Sequence, residues 1–212
     1  MRPEALPEVL KRLRSLYPKA PVALMEKVHR REPFKLLVCA LLSTRTKDEL
    51  THRVCERLFK QAGTPEELAR LPVEEIERLI YPVGFYRVKA RQLKKLAETL
   101  SERYGGKVPL KEEELLKLPG VGRKVAGVVL GSLGRRAVGV DTHVQRIVNR
   151  WGLLETRTPL ETERELLRLL PDELVPEFNR LVVALGQTVC KPRRPDCGAC
   201  PVEPFCKKRF TL

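Results

Sequence analysis

Apolar residues recur at helical spacing along almost the whole chain. Leu6, Leu10, Leu13 and Leu16 stand four, three and three positions apart, which predicts an opening amphipathic helix with Pro7 in its first turn. Residues 34–43, FKLLVCALLS, are apolar nearly all round, as a helix at the centre of a bundle is. Thr46 and Glu49 have capping-box spacing at the start of TKDELTHRVCERLFK. Thr64-Pro65-Glu66-Glu67 repeats that signal with proline at the first helical position. Residues 88–103 predict a long basic amphipathic helix that Gly105 and Gly106 stop. A short helix near 111–117 and a second over 123–133 flank Leu118-Pro119-Gly120-Val121-Gly122. Asp141 is placed to cap a helix carrying Val144, Ile147, Val148 and Trp151. Thr158 and Glu161 open another helix, and residues 174–188 form one more. Beyond Gly186 a Cys/Pro/basic tail loses the helical period, and the one β-like run, VGV at 138–140, is too short for a sheet. The chain therefore reads as all-α, without internal repeats or low-complexity linkers.

Composition narrows the partner. The 212 residues are 42% hydrophobic, enough for one large domain or two small ones without disulfide staples. A formal net charge of +14 and a pI near 9.8 predict a polyanionic partner, with a thermophile's Lys/Arg-rich surface as the plainer alternative. The most apolar stretch, Leu36–Leu42, is far too short to span a membrane. The opening MRPEALPEVLKRLRSLY lacks the apolar core of a signal peptide. A soluble, cytoplasmic protein without membrane partners is expected, and its six cysteines then point to metal ligands or buried thiols rather than bridges. Cys39 and Cys55, on helix faces beside Leu and Val, read as buried thiols.

Candidate chemistry concentrates in LPGVGRKVAGVVL, residues 118–130. Gly120 and Gly122 straddle Val121 and permit a tight turn whose amides face outward at a helix start, a site for a phosphate oxygen with Arg123 beside it. Such a hairpin reads backbone rather than base sequence. The Gly-x-x-x-x-Gly-Lys-Ser/Thr pattern of nucleotide hydrolysis is absent. Lys124 sits in the first turn of the following helix, where a buried stem and the helix dipole disfavour its ammonium and suit it to nucleophilic attack. Sequence logic alone favours an ordinary phosphate-contacting lysine. Asp141 either caps its helix or, in addition, stabilises a cationic sugar as a base departs. His143, two residues on, either binds phosphate or packs at the helix start.

Cys190, Cys197, Cys200 and Cys206, spaced C-x6-C-x2-C-x5-C, supply four soft thiolate ligands within a short basic loop. Zinc and an iron–sulfur cubane both remain open on this spacing, although zinc sites more often use two close pairs.

Together, LLVCALLSTRTKDEL, LPGVGRKVAGVVL, VGVDTHVQR and the four-cysteine tail resemble the endonuclease III family of helix-hairpin-helix DNA glycosylases. The resemblance spans nearly the whole chain. It implies an all-α, two-lobed fold with a central cleft: a continuous helical domain over about 25–135, and a discontinuous one from 1–24 with 136–212 that holds a [4Fe–4S] cluster. It implies base excision repair by a monomeric enzyme of the cytoplasm, bound to the nucleoid when on DNA. Lys124 matches the family's nucleophile and Asp141 its catalytic carboxylate, acting on double-stranded DNA with damaged pyrimidines such as thymine glycol, or with abasic sites. Arg45 departs from the usual glutamine of LLS-x-Q, the residue that fills the space left by a flipped base, and this bears on lesion and opposite-base preference. Phe85 in VGFYRVKA stands where the family has an apolar wedge, or else it is a core aromatic. The alternatives are a mismatch-directed glycosylase, whose relatives lack the lysine at 124, and a non-catalytic DNA-binding module.

Overall fold

The computed structural model describes residues 1–20 and 32–210. Helices run Leu6–Leu13 (α1), Pro33–Ser43 (α2), Asp48–Phe59 (α3), Pro65–Arg70 (α4), Val73–Ile80 (α5), Tyr86–Tyr104 (α6), Glu112–Leu115 (α7), Arg123–Ser132 (α8), Thr142–Arg150 (α9), Pro159–Leu169 (α10) and Val175–Thr188 (α11). Short 3-10 turns lie at Pro3–Ala5, Tyr17–Lys19, Asp172–Leu174 and Glu203–Phe205, and no strand forms among the described residues. The all-α reading holds.

The chain divides into two compact units, Leu24–Leu133 and Met1–Ala23 with Gly134–Leu212. The expected boundary at 24/25 lies outside the described residues. The second join falls at Leu133/Gly134 rather than at 135/136.

In the continuous unit α2 is the central rod. Phe34 and Leu36 through Leu42 are all buried, and α3, α6 and α8 pack around them. The long α6 covers α4 and α5 with an apolar face of Ala90, Leu93, Leu96, Ala97 and Leu100. It ends where Gly105 and Gly106 take left-handed φ of 56° and 73° and the Gly106 amide donates back to Leu100 O at 2.9 Å, the glycine-terminated helix end the sequence predicts. In the other unit Leu6, Val9, Leu10 and Leu13 of α1 share a core with Ile147 and Val148 of α9, with Trp151 at its C-cap, and with Phe178, Leu181 and Leu185 of α11. Each such side chain contributes roughly 1.5–3 kcal/mol on leaving water.

The structure amends three local expectations. Thr64 makes the full capping box with Glu67, but Thr46 caps nothing, because α3 starts two residues later with Lys47 as its uncapped N-cap. Helix α5 has no counterpart in the sequence reading. Cys39 and Cys55 are not separate thiols: the short 44–47 turn folds α3 back on α2, and the two buried sulfurs meet as a disulfide with Cα atoms 6.0 Å apart.

Candidate DNA-repair active site

Four clusters hold the candidate residues. The first is the hairpin between α7 and α8. Gly120 has a φ of 79°, and a Cβ there would stand 3.1 Å from Leu41 Cδ1 and from the Gln92 carboxamide, so the fold itself requires glycine at this point. Gly122 differs. Its φ is −99°, and a Cβ would meet nothing within 4 Å. The Val121 amide, expected to face outward, donates to Leu118 O at 3.1 Å and closes the turn, while the Val121 side chain is buried. The donors offered at the helix start therefore follow Gly122 rather than precede it. The first α8 rung runs from the Ala126 amide to Gly122 O, and Gly122 provides no side-chain cap. Arg123 and Lys124 are exposed in this first turn, and Arg123 reaches Glu112 of α7 across the hairpin at 3.4 Å. Lys124 thus lacks the buried stem the sequence suggested.

The second cluster pairs two turns of the same unit. Arg45 and Phe85 both adopt left-handed φ, 54° and 60°, a conformation uncommon outside glycine and unfavourable for bulky residues. The Arg45 guanidinium carbon lies 5.4 Å from the Phe85 ring centroid, a cation–π contact. Phe85 is 60% exposed, which removes the core-aromatic alternative. Tyr81 is also exposed and meets the Tyr86 ring edge-on with centroids 5.3 Å apart. Beneath the turns Lys89 is only 4% exposed. Its ammonium donates to Leu42 O at 2.9 Å, Thr44 O at 2.6 Å and Thr46 Oγ1 at 3.3 Å, and burial pushes its pKa down to about 8. The sequence reading passed over Lys89, although the residue continues the 93, 96, 100 stripe of α6 one turn earlier, a lysine on an apolar face.

The third cluster lies in the other unit. Asp141 is the N-cap of α9, with Oδ1 accepting from the amides of His143 at 2.9 Å and Val144 at 3.0 Å. His143 packs so closely on Gly186 of α11 that a Cβ there would stand 2.6 Å from its Nδ1, and the same nitrogen pairs with Arg146 at 3.2 Å. Its environment favours the packing role over phosphate binding.

Cys190, Cys197, Cys200 and Cys206 line one pocket with Trp151, Leu185 and Val189, and all four are half-buried and unbridged. Arg150, which the sequence reading did not single out, reaches Cys190 Sγ at 3.4 Å, Lys191 O at 2.8 Å and Pro192 O at 2.6 Å. The Lys208 amide donates to Cys206 Sγ at 3.3 Å. Burial pushes the Cys200 and Cys206 thiols up, so proton release accompanies any metal binding there. Four soft donors around one pocket, with cationic and amide N–H groups aimed at two of them, suit a thiolate-held cluster. Among the described residues no three His, Cys, Asp or Glu side chains are arranged as a cage for a metal ion.

The fold and the glycine turn between α7 and α8 define a helix-hairpin-helix protein. Residues 38–172 match the model of the HhH-GPD superfamily of base excision DNA repair proteins. The chain is 45% identical over 177 residues to an endonuclease III of Thermotoga maritima, covering 83% of each chain. It is 39% identical over 190 residues to an endonuclease III of Bacillus subtilis, covering 89% of this chain and 86% of that one. A solved endonuclease III trapped as a covalent intermediate with DNA superposes with a TM-score of 0.84 at 35% identity, over 98% of this chain and 97% of the other. The chain belongs to the endonuclease III family within that superfamily. It is a base-excision-repair DNA glycosylase and AP lyase. No described helix is long and apolar enough to cross a membrane.

Proposed function

We propose that the enzyme excises oxidised or ring-saturated pyrimidines, thymine glycol among them, from duplex DNA and then cuts the strand 3′ to the lesion, acting as a monomer in the cytoplasm. The observation that carries this reading is Lys124, exposed in the first turn of α8 directly after a glycine hairpin without a side-chain cap. A phosphate seated on that helix start brings a flipped nucleotide's sugar to the amine, since a glycosidic bond inside the stack is out of reach. The Lys124 amine attacks C1′, the bond to the base breaks and the base leaves with the bonding pair. The nitrogen gives up one proton to the departing base. Its lone pair then opens the sugar at the C1′–O4′ bond, O4′ taking up a proton from solvent, and leaves an iminium that acidifies C2′. Loss of the C2′ proton expels the 3′-phosphate by β-elimination. Asp141 stabilises the cationic sugar, its carboxylate fixed by the two amides it caps. Arg45 and Phe85 fill the space the flipped nucleotide leaves, and arginine in place of the usual glutamine adds a permanent charge facing the orphaned base. Gly120, Val121, Gly122 and Arg123 form the phosphate-binding turn. Cys190, Cys197, Cys200 and Cys206 hold a [4Fe–4S] cluster, which ties down the basic 190–206 loop and enters no step of the reaction.

Borohydride reduction of the iminium tests this. Wild type should form a covalent protein–DNA adduct on duplexes carrying thymine glycol or an abasic site, and Lys124→Ala should form none. Asp141→Asn retains a good N-cap and should fold normally while forming adduct on the base-bearing duplex on the order of 100-fold more slowly. An adduct of wild-type yield from Lys124→Ala rules out this nucleophile, and none from wild type on either duplex rules out the lyase mechanism proposed.

A further inference from the structure

We infer that Lys89 is a positioning residue for damage recognition: from beneath, it locks the Arg45 and Phe85 turns into one rigid element that enters the DNA duplex. This rests on the reading of Arg45 and Phe85 as gap-filling residues and names what holds them. The ammonium of Lys89 gathers Leu42 O from the last turn of α2 and Thr44 O just beyond it, together with Thr46 Oγ1. Cations favour helix C-termini, and donation to buried carbonyls satisfies groups that otherwise face the core unpaired. Thr46 Oγ1 also accepts from the Gly84 amide at 3.2 Å, which joins the first turn to the second one residue before Phe85. The two backbones abut there, since a Cβ on Gly84 would stand 2.7 Å from Arg45 O. Two bulky residues are thereby held left-handed on neighbouring turns, a strained conformation that the surroundings must offset. Strain of this kind persists where the packing over-determines it, and here both strained residues are exposed toward the same face, linked by their cation–π contact. A buried lysine supporting two exposed, strained side chains has the form of a clamp under a reading head. Remove it, and the turns can relax to ordinary backbone without disturbing the hairpin at 118–124.

The readout is equilibrium binding, which is independent of the lysine chemistry at 124. Fluorescence anisotropy would compare a duplex carrying a tetrahydrofuran abasic analogue with the undamaged duplex of the same sequence. Wild type should prefer the analogue, because Arg45 and Phe85 occupy the gap. Lys89→Met should lose about tenfold of that preference while binding undamaged duplex within about twofold of wild type. In an Arg45→Ala/Phe85→Ala background, Lys89→Met should change nothing further, because its effect passes through those residues. Thr46→Val, which keeps shape and deletes the shared acceptor, should show the same pattern with about a threefold loss and stands in if Lys89→Met fails to fold. Unchanged preference in a folded Lys89→Met protein, or in Thr46→Val where Lys89→Met does not fold, overturns the inference. So does equal weakening on both duplexes, or an effect that persists in full in the double-alanine background. If wild type itself shows no preference, the gap-filling reading fails with it; absence of a borohydride adduct would overturn only the Lys124 reading.

Discussion

At the scale of single residues, the two hairpin glycines separate structure from function. Gly120 is required by the fold, through a left-handed φ and close contact with Leu41 and Gln92. Gly120→Ala should therefore lower stability by about 1–2 kcal/mol in thermal or urea unfolding. Gly122 has ordinary backbone and open space around it, so Gly122→Ala should cost less than about 1 kcal/mol yet weaken binding to undamaged duplex, its Cβ standing where a phosphate approaches. Wild-type DNA affinity in Gly122→Ala would contradict that placement. Lys89 makes a pH-dependent contribution of its own. Burial lowers its pKa from the ordinary 10.5 to about 8, so between those values the unfolded chain holds a proton the folded chain has released. Folding stability from this site then rises with pH across about 8 to 10.5, and the unfolding free energy of wild type minus that of Lys89→Met should increase over the window. A flat or falling difference would show that the ammonium is not buried as described. The family resemblance singles out Lys124, Asp141 and the four cysteines as candidates, because each lies in one of the runs of neighbours that carry it. Lys89 has no such run: its role is made by carbonyls more than forty positions away, and a single lysine on an apolar stripe is a faint signal.

At the scale of elements, helix periods are the most legible feature and caps the least. Thr64 and Glu67 form their capping box because the other donor to Glu67, the Gly63 amide at 2.7 Å, is a local neighbour that leaves the geometry intact. Thr46 has the same spacing to Glu49, but its hydroxyl is taken by Gly84 and Lys89 across the unit, so tertiary structure overrides the local signal. The helix at Val73–Ile80 carried a usable trace in Ile76, Leu79 and Ile80 after Pro72. Several helix C-termini are closed by cations from other elements: Lys89 at α2, Lys94 through Leu71 O at 3.0 Å after α4, Arg57 through Leu79 O at 2.6 Å at α5, and Arg136 through Leu170 O at 3.3 Å after α10. The 190–206 loop has no helical ladder to order it beyond one 3-10 turn, so its order should depend on the proposed cluster. Purified protein should contain iron and acid-labile sulfide, and oxidative removal of the iron should raise amide exchange across 190–206 while leaving 118–126 protected. Zinc without iron after anaerobic purification, or unchanged exchange on iron loss, would contradict the cluster reading.

At the scale of the whole molecule, a net charge of +14 overstates what is available for DNA. Lys89, Lys94, Arg57, Arg136 and Arg150 are engaged with backbone carbonyls, a structural use of cations that composition cannot distinguish from a DNA-facing one. The partner class was nevertheless legible, because charge and glycine hairpin agree on it. The two-unit division was less so: nothing in the periodicity joins residues 1–20 to the C-terminal half; the family resemblance implied the join, and its physical basis is the core that α1 and α11 share around Leu10 and Phe178. What unites these levels is the claim that a single exposed lysine at the hairpin carries the chemistry. The most direct test is to trap the enzyme with borohydride on an abasic-site duplex, digest the adduct and map the modified amine by mass spectrometry. The account predicts one sugar adduct, on the Lys124 nitrogen. An adduct on any other amine, or none at all, would contradict it.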